Sequence, residues 1–407
     1  MSIRRSLSRL AHTPPRRLDL HPPPPPGTST KGALVAAVRG ALPGHSVQTE
    51  HGELHLIDEY LEPHHHHGRT PIANALRVSS ERLAQLALDP RLEEIDIKSA
   101  LFFDTETTGL AGGTGTVPFL IGIGWFEDES LRIQQLFLPE LGHEAPMLHW
   151  LRERIAQSSC LVSFNGKTFD WPLLRNRFVM NRVRAPELPP HLDLLHCARR
   201  ILRRRLRSVR LVEIEREVLG MYREDDVSGA LIPQLYFDYL DGGDVSPIAK
   251  VIEHNANDLI ALVALVAELV SHFDEVHGDD DPRDHLAYAR VAERTGDRRR
   301  AQSFARAAAG GGGEAACTVE ACLLTARMAR RGGDVDDEER ALIGALQAAD
   351  EGELRAIVQL ALSKHYEHRR KDLERALAYA AGTALAEGEE AAERRAARLE
   401  RRLARQA

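Results

Sequence analysis

LFFDTETTGLAGGTGTVPFLIGIGWFED, residues 101–128, sets two acids, Asp104 and Glu106, directly after an apolar run. Side chains at i and i+2 of a strand point to the same face. Two carboxylates side by side repel and resist joint ionisation. A divalent cation that favours oxygen ligands, Mg²⁺ or Mn²⁺, removes that conflict; the ordinary alternative is a strand end with two solvated acids. Gly109 ends the strand by allowing a turn. Gly112 to Gly115 (GGTG) offers backbone amides, but no Gly-Lys-Ser/Thr follows, so nucleoside triphosphate binding is not expected.

Two further stretches carry chemistry-bearing residues. In LVSFNGKTFDWPLL a short apolar strand ends at Asn165-Gly166 and a helix follows, with Asp170 in its first turn. A carboxylate there also favours the helix dipole, which is reason enough for an aspartate. In EHNANDLIALVAL, His254 and Asp258 are four residues apart and share one helix face. Asp258 opens a strongly apolar stretch, and a carboxylate buried there needs a cation or a donor. His254 is a residue type that accepts a proton near neutral pH. As a lone pair, such residues are more often a surface contact. Asn255 is an adjacent polar residue of the kind that usually makes structural hydrogen bonds.

Taken together, Asp-x-Glu on a first strand, Asp at a strand–helix junction and His-x-x-x-Asp on a late helix resemble the three motifs of the DnaQ-like (DEDD) 3′–5′ exonucleases of the ribonuclease H-like fold. The resemblance covers Leu101 to about Phe273. More closely, DTETTGLAGGTGTVPFLIGIGWF, FNGKTFDWPLL, HLDLLHCARR, LVEIEREVLGMYREDDVSGALIP and HNANDL resemble the YprB-like ribonuclease H-like domain family, in which tetratricopeptide-type helices often follow. The resemblance implies that Asp104, Glu106, Asp170 and Asp258 hold two Mg²⁺ or Mn²⁺ ions per site and that His254 is the base; Asp104, by its place near the strand's end, is best placed to bridge the ions. His254-x₃-Asp258 has the spacing of the subclass that uses tyrosine, whereas the histidine subclass usually has one more intervening residue.

The chain has 407 residues, enough for two or three domains. Its net charge of −7 excludes a polycation, so contact with nucleic acid must come from a local patch or a metal. Cys160, Cys197, Cys317 and Cys322 form no C-x-x-C pair and no disulfide framework, which fits a reducing, cytoplasmic setting. No apolar run approaches the ~18 residues needed to span a bilayer, and no membrane association is expected.

Residues 1–32 read as a disordered basic and proline-rich arm, and residues 33–95 as a small accessory segment with a short helix at 33–44 and a hairpin turning near His51-Gly52. His64 to His67 alternate in direction on an extended chain and cannot all meet one ion, so a surface loop is expected. Residues 97–275 alternate strand and helix, giving an α/β domain with a mixed sheet flanked by helices, which the resemblance implies is ribonuclease H-like. Within it, 191–207 (HLDLLHCARRILRRRLR) and 246–273 read as helices, the latter capped by Ser246. Residues 283–405 read as an all-α, TPR-like helical-repeat domain, because Asp297, Asp334 and Asp372 recur near turns at close to a tetratricopeptide period.

The expected partner is nucleic acid, DNA or RNA, at a single-stranded 3′ end. Candidate substrate contacts are Thr107, Asn165 and Phe169 beside the acids, and Arg200, Arg204 and Arg207 from an arginine-rich stripe; the ordinary alternatives are core packing and a solvated face. The helical repeats are a possible docking surface for a protein partner. The competing readings are an endonuclease or resolvase on the same fold, and a non-catalytic scaffold that only grips nucleic acid. Four intact acids argue against the scaffold.

Overall fold

The structure, a computed structural model, describes residues 42–109 and 115–406. The N-terminal arm, nearly all of the helix expected at 33–44 and most of the GGTG turn lie outside the described residues. The chain begins with a hairpin, β1 (His45–Thr49) and β2 (Gly52–Leu61), in which Thr49 faces Gly52 across the expected turn. A small ribbon follows, β3 (His66–His67) and β4 (Thr70–Pro71), then helix α1 (Ser80–Ala87). Three long strands come next: β5 (Ala100–Thr107), β6 (Pro118–Glu127) and β7 (Ser130–Phe137). After these come α2 (Ala145–Ala156), β8 (Cys160–Ser163), α3 (Asp170–Met180), β9 (His191–Asp193) and α4 (Leu194–Leu202). The short helix α5 (Leu211–Ile214) widens into a π turn at Glu215–Leu219. Helices α6 (Ile232–Leu240) and α7 (Ser246–Asp274) complete this part.

Seven strands form one sheet in the order β1-β2-β7-β6-β5-β8-β9. The strands from β1 to β5 pair antiparallel, whereas β8 and β9 run parallel to β5. This mixed sheet, with helices and a helical C-terminal region after it, is a ribonuclease H-like fold. Strand β6 is almost wholly apolar because both of its faces are covered: Phe119, Leu120, Ile121 and Ile123 are fully buried. Tyr236 of α6 stacks on Phe119 with ring centroids 4.0 Å apart and donates its hydroxyl hydrogen to the Leu138 carbonyl, so the buried phenol keeps a partner.

The helix expected over residues 191–207 is interrupted at both ends. His191–Asp193 pair with β8 as an edge strand, Asp193 then caps α4, and the helix stops at Leu202. The arginine-rich stripe therefore leaves the helix before Arg203. Helix α7 also corrects the sequence reading. It is long and apolar enough to cross a membrane, with a mean hydropathy of 1.5, but 72% of that apolar window is buried inside the protein. Its cap position is held not by Ser246 but by Val245, which offers no side-chain cap, and the Asp244 carboxylate accepts from the Ser246 backbone N–H at 3.1 Å.

The C-terminal region is helical throughout, beginning with α8 (Pro282–Arg294), α9 (Arg298–Gly310), α10 (Ala315–Gly332), α11 (Val335–Ala348), α12 (Glu353–His365) and α13 (Leu373–Ala380). Short loops join α8 to α9, α10 to α11 and, after a π turn, α12 to α13, and the members of each pair pack together. Asp297, Asp334 and Asp372 cap the second helix of each pair, accepting from backbone N–H groups three residues on at 3.0, 2.9 and 3.0 Å. The recurrence seen in the sequence is thus a recurrence of caps.

One apolar core runs from the sheet through α7 and into α8, α9 and α10, and a second lies among the later helices. Phe304 of α9 is buried at this junction, 6.1 Å from the Phe273 ring and 5.3 Å from Tyr288. Phe304→Ala is expected to cost about 3–5 kcal/mol. Urea unfolding of the two proteins measures it; a cost below ~1 kcal/mol would mean that the junction repacks.

Candidate active site

Asp104 stands in a cross-strand row with Gly122 of β6, which in turn faces Gln135 of β7. Helix α7 crosses this row so closely that a Cβ on Gly122 would sit 2.1 Å from Asn255 Oδ1. Glycine is therefore required, and the absent side chain leaves room for the fully buried Asn255. Asn255 donates from Nδ2 to Asp104 Oδ2 at 2.8 Å. Its own oxygen accepts from Gln135 Nε2 at 2.9 Å, and Gln135 also donates to the Ile252 carbonyl. Asn255 is thus the residue that orients Asp104, a role at the site that its neighbour His254 does not share. Gly122→Ala is expected to push Asn255 off Asp104 and weaken Mn²⁺ binding by about 10–100-fold, the usual scale for losing a group that orients a ligand. Calorimetric titration with Mn²⁺ checks this; wild-type affinity in a folded variant would refute it.

His254 and Asp258 stand one turn apart, as the spacing requires. His254 Nε2 lies 3.8 Å from Glu106 Oε1 and 3.8 Å from Asp258 Oδ2. Its Nδ1 lies 2.7 Å from Asp226 Oδ1. A carboxylate only accepts, so Nδ1 carries the hydrogen and, in the neutral ring, Nε2 is left as the basic nitrogen facing Glu106 and Asp258. Arg223 completes this side, donating from Nη2 to Asp258 Oδ1 at 2.5 Å.

Asp170 reaches the end of β5 from the start of α3 and accepts the Thr105 hydroxyl. The loop before it is pinned by buried Asp193, which accepts from the backbone N–H groups of Asn165 and Lys167 at 2.8 and 3.1 Å and also caps α4. Asn165 takes a φ of +71°, a left-handed conformation that asparagine tolerates better than most residues. Asn165 is therefore a turn residue of the scaffold, and Thr107 is another, donating to the Gly109 carbonyl at 2.9 Å. Phe169 is half-buried just before α3. Arg200 donates to the Leu86 carbonyl, and Arg204 pairs with Glu320 of α10 at 2.9 Å, so both are engaged within the protein. Arg207 is exposed.

The electrostatics express a strained set of charges. Burial, and then the charges of Asp258, Glu106 and Asp170, hold the Asp104 carboxyl well above the usual carboxylate range. Glu106 is raised likewise by burial and by Asp258, Asp170 and Asp226. Burial lifts Asp170 to about 6 although Thr105 opposes it. Burial also raises Asp258, against the pull of Arg223 and His254. Four acids kept together under such repulsion are a donor set that fits a hard divalent cation. Among the described residues no three donors are closed around one ligation point as they stand. Arg223 holds Asp258, and Thr105 holds Asp170.

Residues 101–270 match the RNase_H superfamily. Over 281 residues the chain is 30% identical to the uncharacterized protein YprB of Bacillus subtilis (strain 168), covering 68% of this chain and 67% of YprB. The chain belongs to the YprB family. Its RNase_H-superfamily domain contains Asp104, Glu106, Asp170, His254 and Asp258 within the matched residues. Membership of that superfamily points to a nuclease, with nucleic acid as substrate and divalent metal as the usual cofactor.

Arg223, Asp226, Glu215, Asp193 and Gln135 escaped the sequence reading as site residues. One signal was available. Glu215 stands beside Ile214 and among Leu211, Val218 and Leu219 at helical spacing, an acid on an apolar face. It is fully buried, and its partners are His67 at 2.7 Å and Arg223. His67 is accordingly buried as well, so the histidine run does not lie wholly in a surface loop.

Proposed function

We propose that the chain is a metal-dependent 3′–5′ exonuclease of the DEDD type that works by a two-metal mechanism. The observation that carries the reading is the gathering of four carboxylates from β5, α3 and α7, two of which, Glu106 and Asp258, face an imidazole whose other nitrogen is held by Asp226. Asp104, Glu106, Asp170 and Asp258 would hold two Mg²⁺ or Mn²⁺ ions, which when bound supply an activated water and neutralise charge on the leaving 3′ oxygen. His254 Nε2 takes the proton of the attacking water, and Asp226 holds the ring so that this nitrogen faces the acids. Asn255 fixes the direction of Asp104, and Asp193 fixes the loop that presents Asp170.

The half-buried Phe169 and the exposed Arg207 are candidate contacts for a terminal base and for phosphates. The three helix pairs with equivalent aspartate caps support a TPR-like reading of 283–405 as a surface for a protein partner. The free thiols of Cys160, Cys197, Cys317 and Cys322 suit a reducing cytoplasm.

The test is purified full-length protein with Mg²⁺ or Mn²⁺ on 5′-labelled single-stranded DNA and RNA. A ladder shortening from the 3′ end, with mononucleotides released, is the expected result. Discrete internal fragments would replace this reading by an endonuclease, and retention of intact substrate in both metals by a scaffold.

A further inference from the structure

Glu215 and Asp258 are linked by one guanidinium. Arg223 forks onto Glu215, with Nε 3.1 Å from Oε1 and Nη2 2.8 Å from Oε2. The same Nη2 reaches Asp258 Oδ1 at 2.5 Å. Its Nη1 lies 3.4 Å from both Asp226 Oδ2 and His254 Nδ1. The Arg223 side chain is only 4% exposed. A purely internal acid is thereby tied to an acid placed among the metal ligands and to the pair that orients the base.

Arg223 is not free to leave. Glu215 is fully buried, and a buried carboxylate stripped of its cation is strongly disfavoured. The guanidinium donates from Nε to one Glu215 oxygen while Nη2, beside the other, donates to Asp258, a two-armed contact that a lysine cannot reproduce. From the other side His67 bonds Glu215 at 2.7 Å, and the β3–β4 ribbon lies flush on the π turn. The Arg69 backbone N–H donates to the Leu219 carbonyl at 2.8 Å, and a Cβ on Gly68, whose φ is +61°, would stand 2.1 Å from that same oxygen. The last residue of the histidine run therefore braces the turn that holds Arg223.

Resting on the two-metal reading above, we propose that Arg223 is a positioning residue that stays on Asp258 when divalent ions bind. It reserves Oδ1 for itself and leaves Oδ2 as the ligating oxygen. Two opposite effects follow. A fixed positive charge beside Asp258 repels a divalent ion, and in a poorly solvated cleft that repulsion is large. The same contact sets the direction of Asp258 and, through Asp226, of His254, which favours turnover. Removing the cation should therefore tighten metal binding while slowing the reaction. A plain structural brace would lower both.

The experiment uses full-length Arg223→Met, the double variant Arg223→Met/Glu215→Gln, which spares Glu215 a lone buried charge, and Arg223→Lys. Mn²⁺ is titrated calorimetrically without substrate, thermal melts report folding, and turnover is measured at saturating Mn²⁺. In whichever methionine variant melts like wild type, the Kd for Mn²⁺ should fall by about tenfold. Its kcat should fall by about 10–100-fold, with KM changed less. Arg223→Lys should return the Kd towards wild type and recover only part of kcat, because it lacks the fork. Weaker Mn²⁺ binding in a folded variant overturns the proposal, and so does an unchanged kcat. A wild type that turns over no nucleic acid overturns the nuclease reading alone, the Mn²⁺ affinities still deciding the role of Arg223.

Discussion

Asp104→Asn should abolish turnover while making the metal-free protein more stable. The loss should exceed the ~10²–10⁴-fold expected for a missing general base, because Asp104 is proposed to hold the metal on which the reaction depends. The gain in stability follows from linkage. Burial and the neighbouring acids hold the Asp104 carboxyl well above its ordinary range, so the folded chain binds that proton more tightly than the unfolded chain does. As pH rises from the ordinary carboxylate range towards the raised folded value, the unfolded state loses the proton first and stability falls. Glu106 and Asp170 add slopes of the same sign. Asparagine removes one of these charges yet still presents an oxygen to Asn255 Nδ2. Melts in EDTA should therefore show the wild type losing stability between pH 5 and pH 8, and Asp104→Asn melting higher at pH 8 with a flatter profile. Mn²⁺ should reverse the ranking, since it stabilises only by binding the folded state. A variant that melts lower than wild type in EDTA at pH 8 would show that Asp104 is not under the repulsion described here.

His254→Ala should cut the rate at pH 7 by about 10²–10⁴-fold with Mn²⁺ affinity retained, because imidazole is not among the proposed ligands. The deficit should shrink as pH rises and hydroxide becomes available without a base. Asp226→Asn should produce a smaller loss in the same direction, since an amide can offer its nitrogen to Nδ1 and turn the ring. A histidine with only a packing role would lower activity equally at all pH values and lower the melting temperature too. pH–rate profiles and melts of the three proteins separate these outcomes. A His254→Ala variant as active as wild type near pH 7 would remove His254 from the mechanism.

Local rules carried much of the molecule. Alternation put Asp104 and Glu106 on one face of β5, and a four-residue spacing put His254 and Asp258 on one face of α7. Asp297, Asp334 and Asp372 mark helix starts because a cap bonds a backbone N–H only three residues away. Each of these relations closes within a turn or two of chain, so the sequence by itself determined it. The tertiary structure decided which charge meets which. His67 finds Glu215 across 148 residues, Arg223 finds Asp258 across 35, and Arg200 is drawn to the Leu86 carbonyl across 114. Such pairings depend on strand order, on register and on how closely a helix can approach a sheet, as Gly122 shows by the space it leaves for Asn255. A buried charge takes whichever partner the packed chain brings within reach, and residue type alone does not say which partner that is.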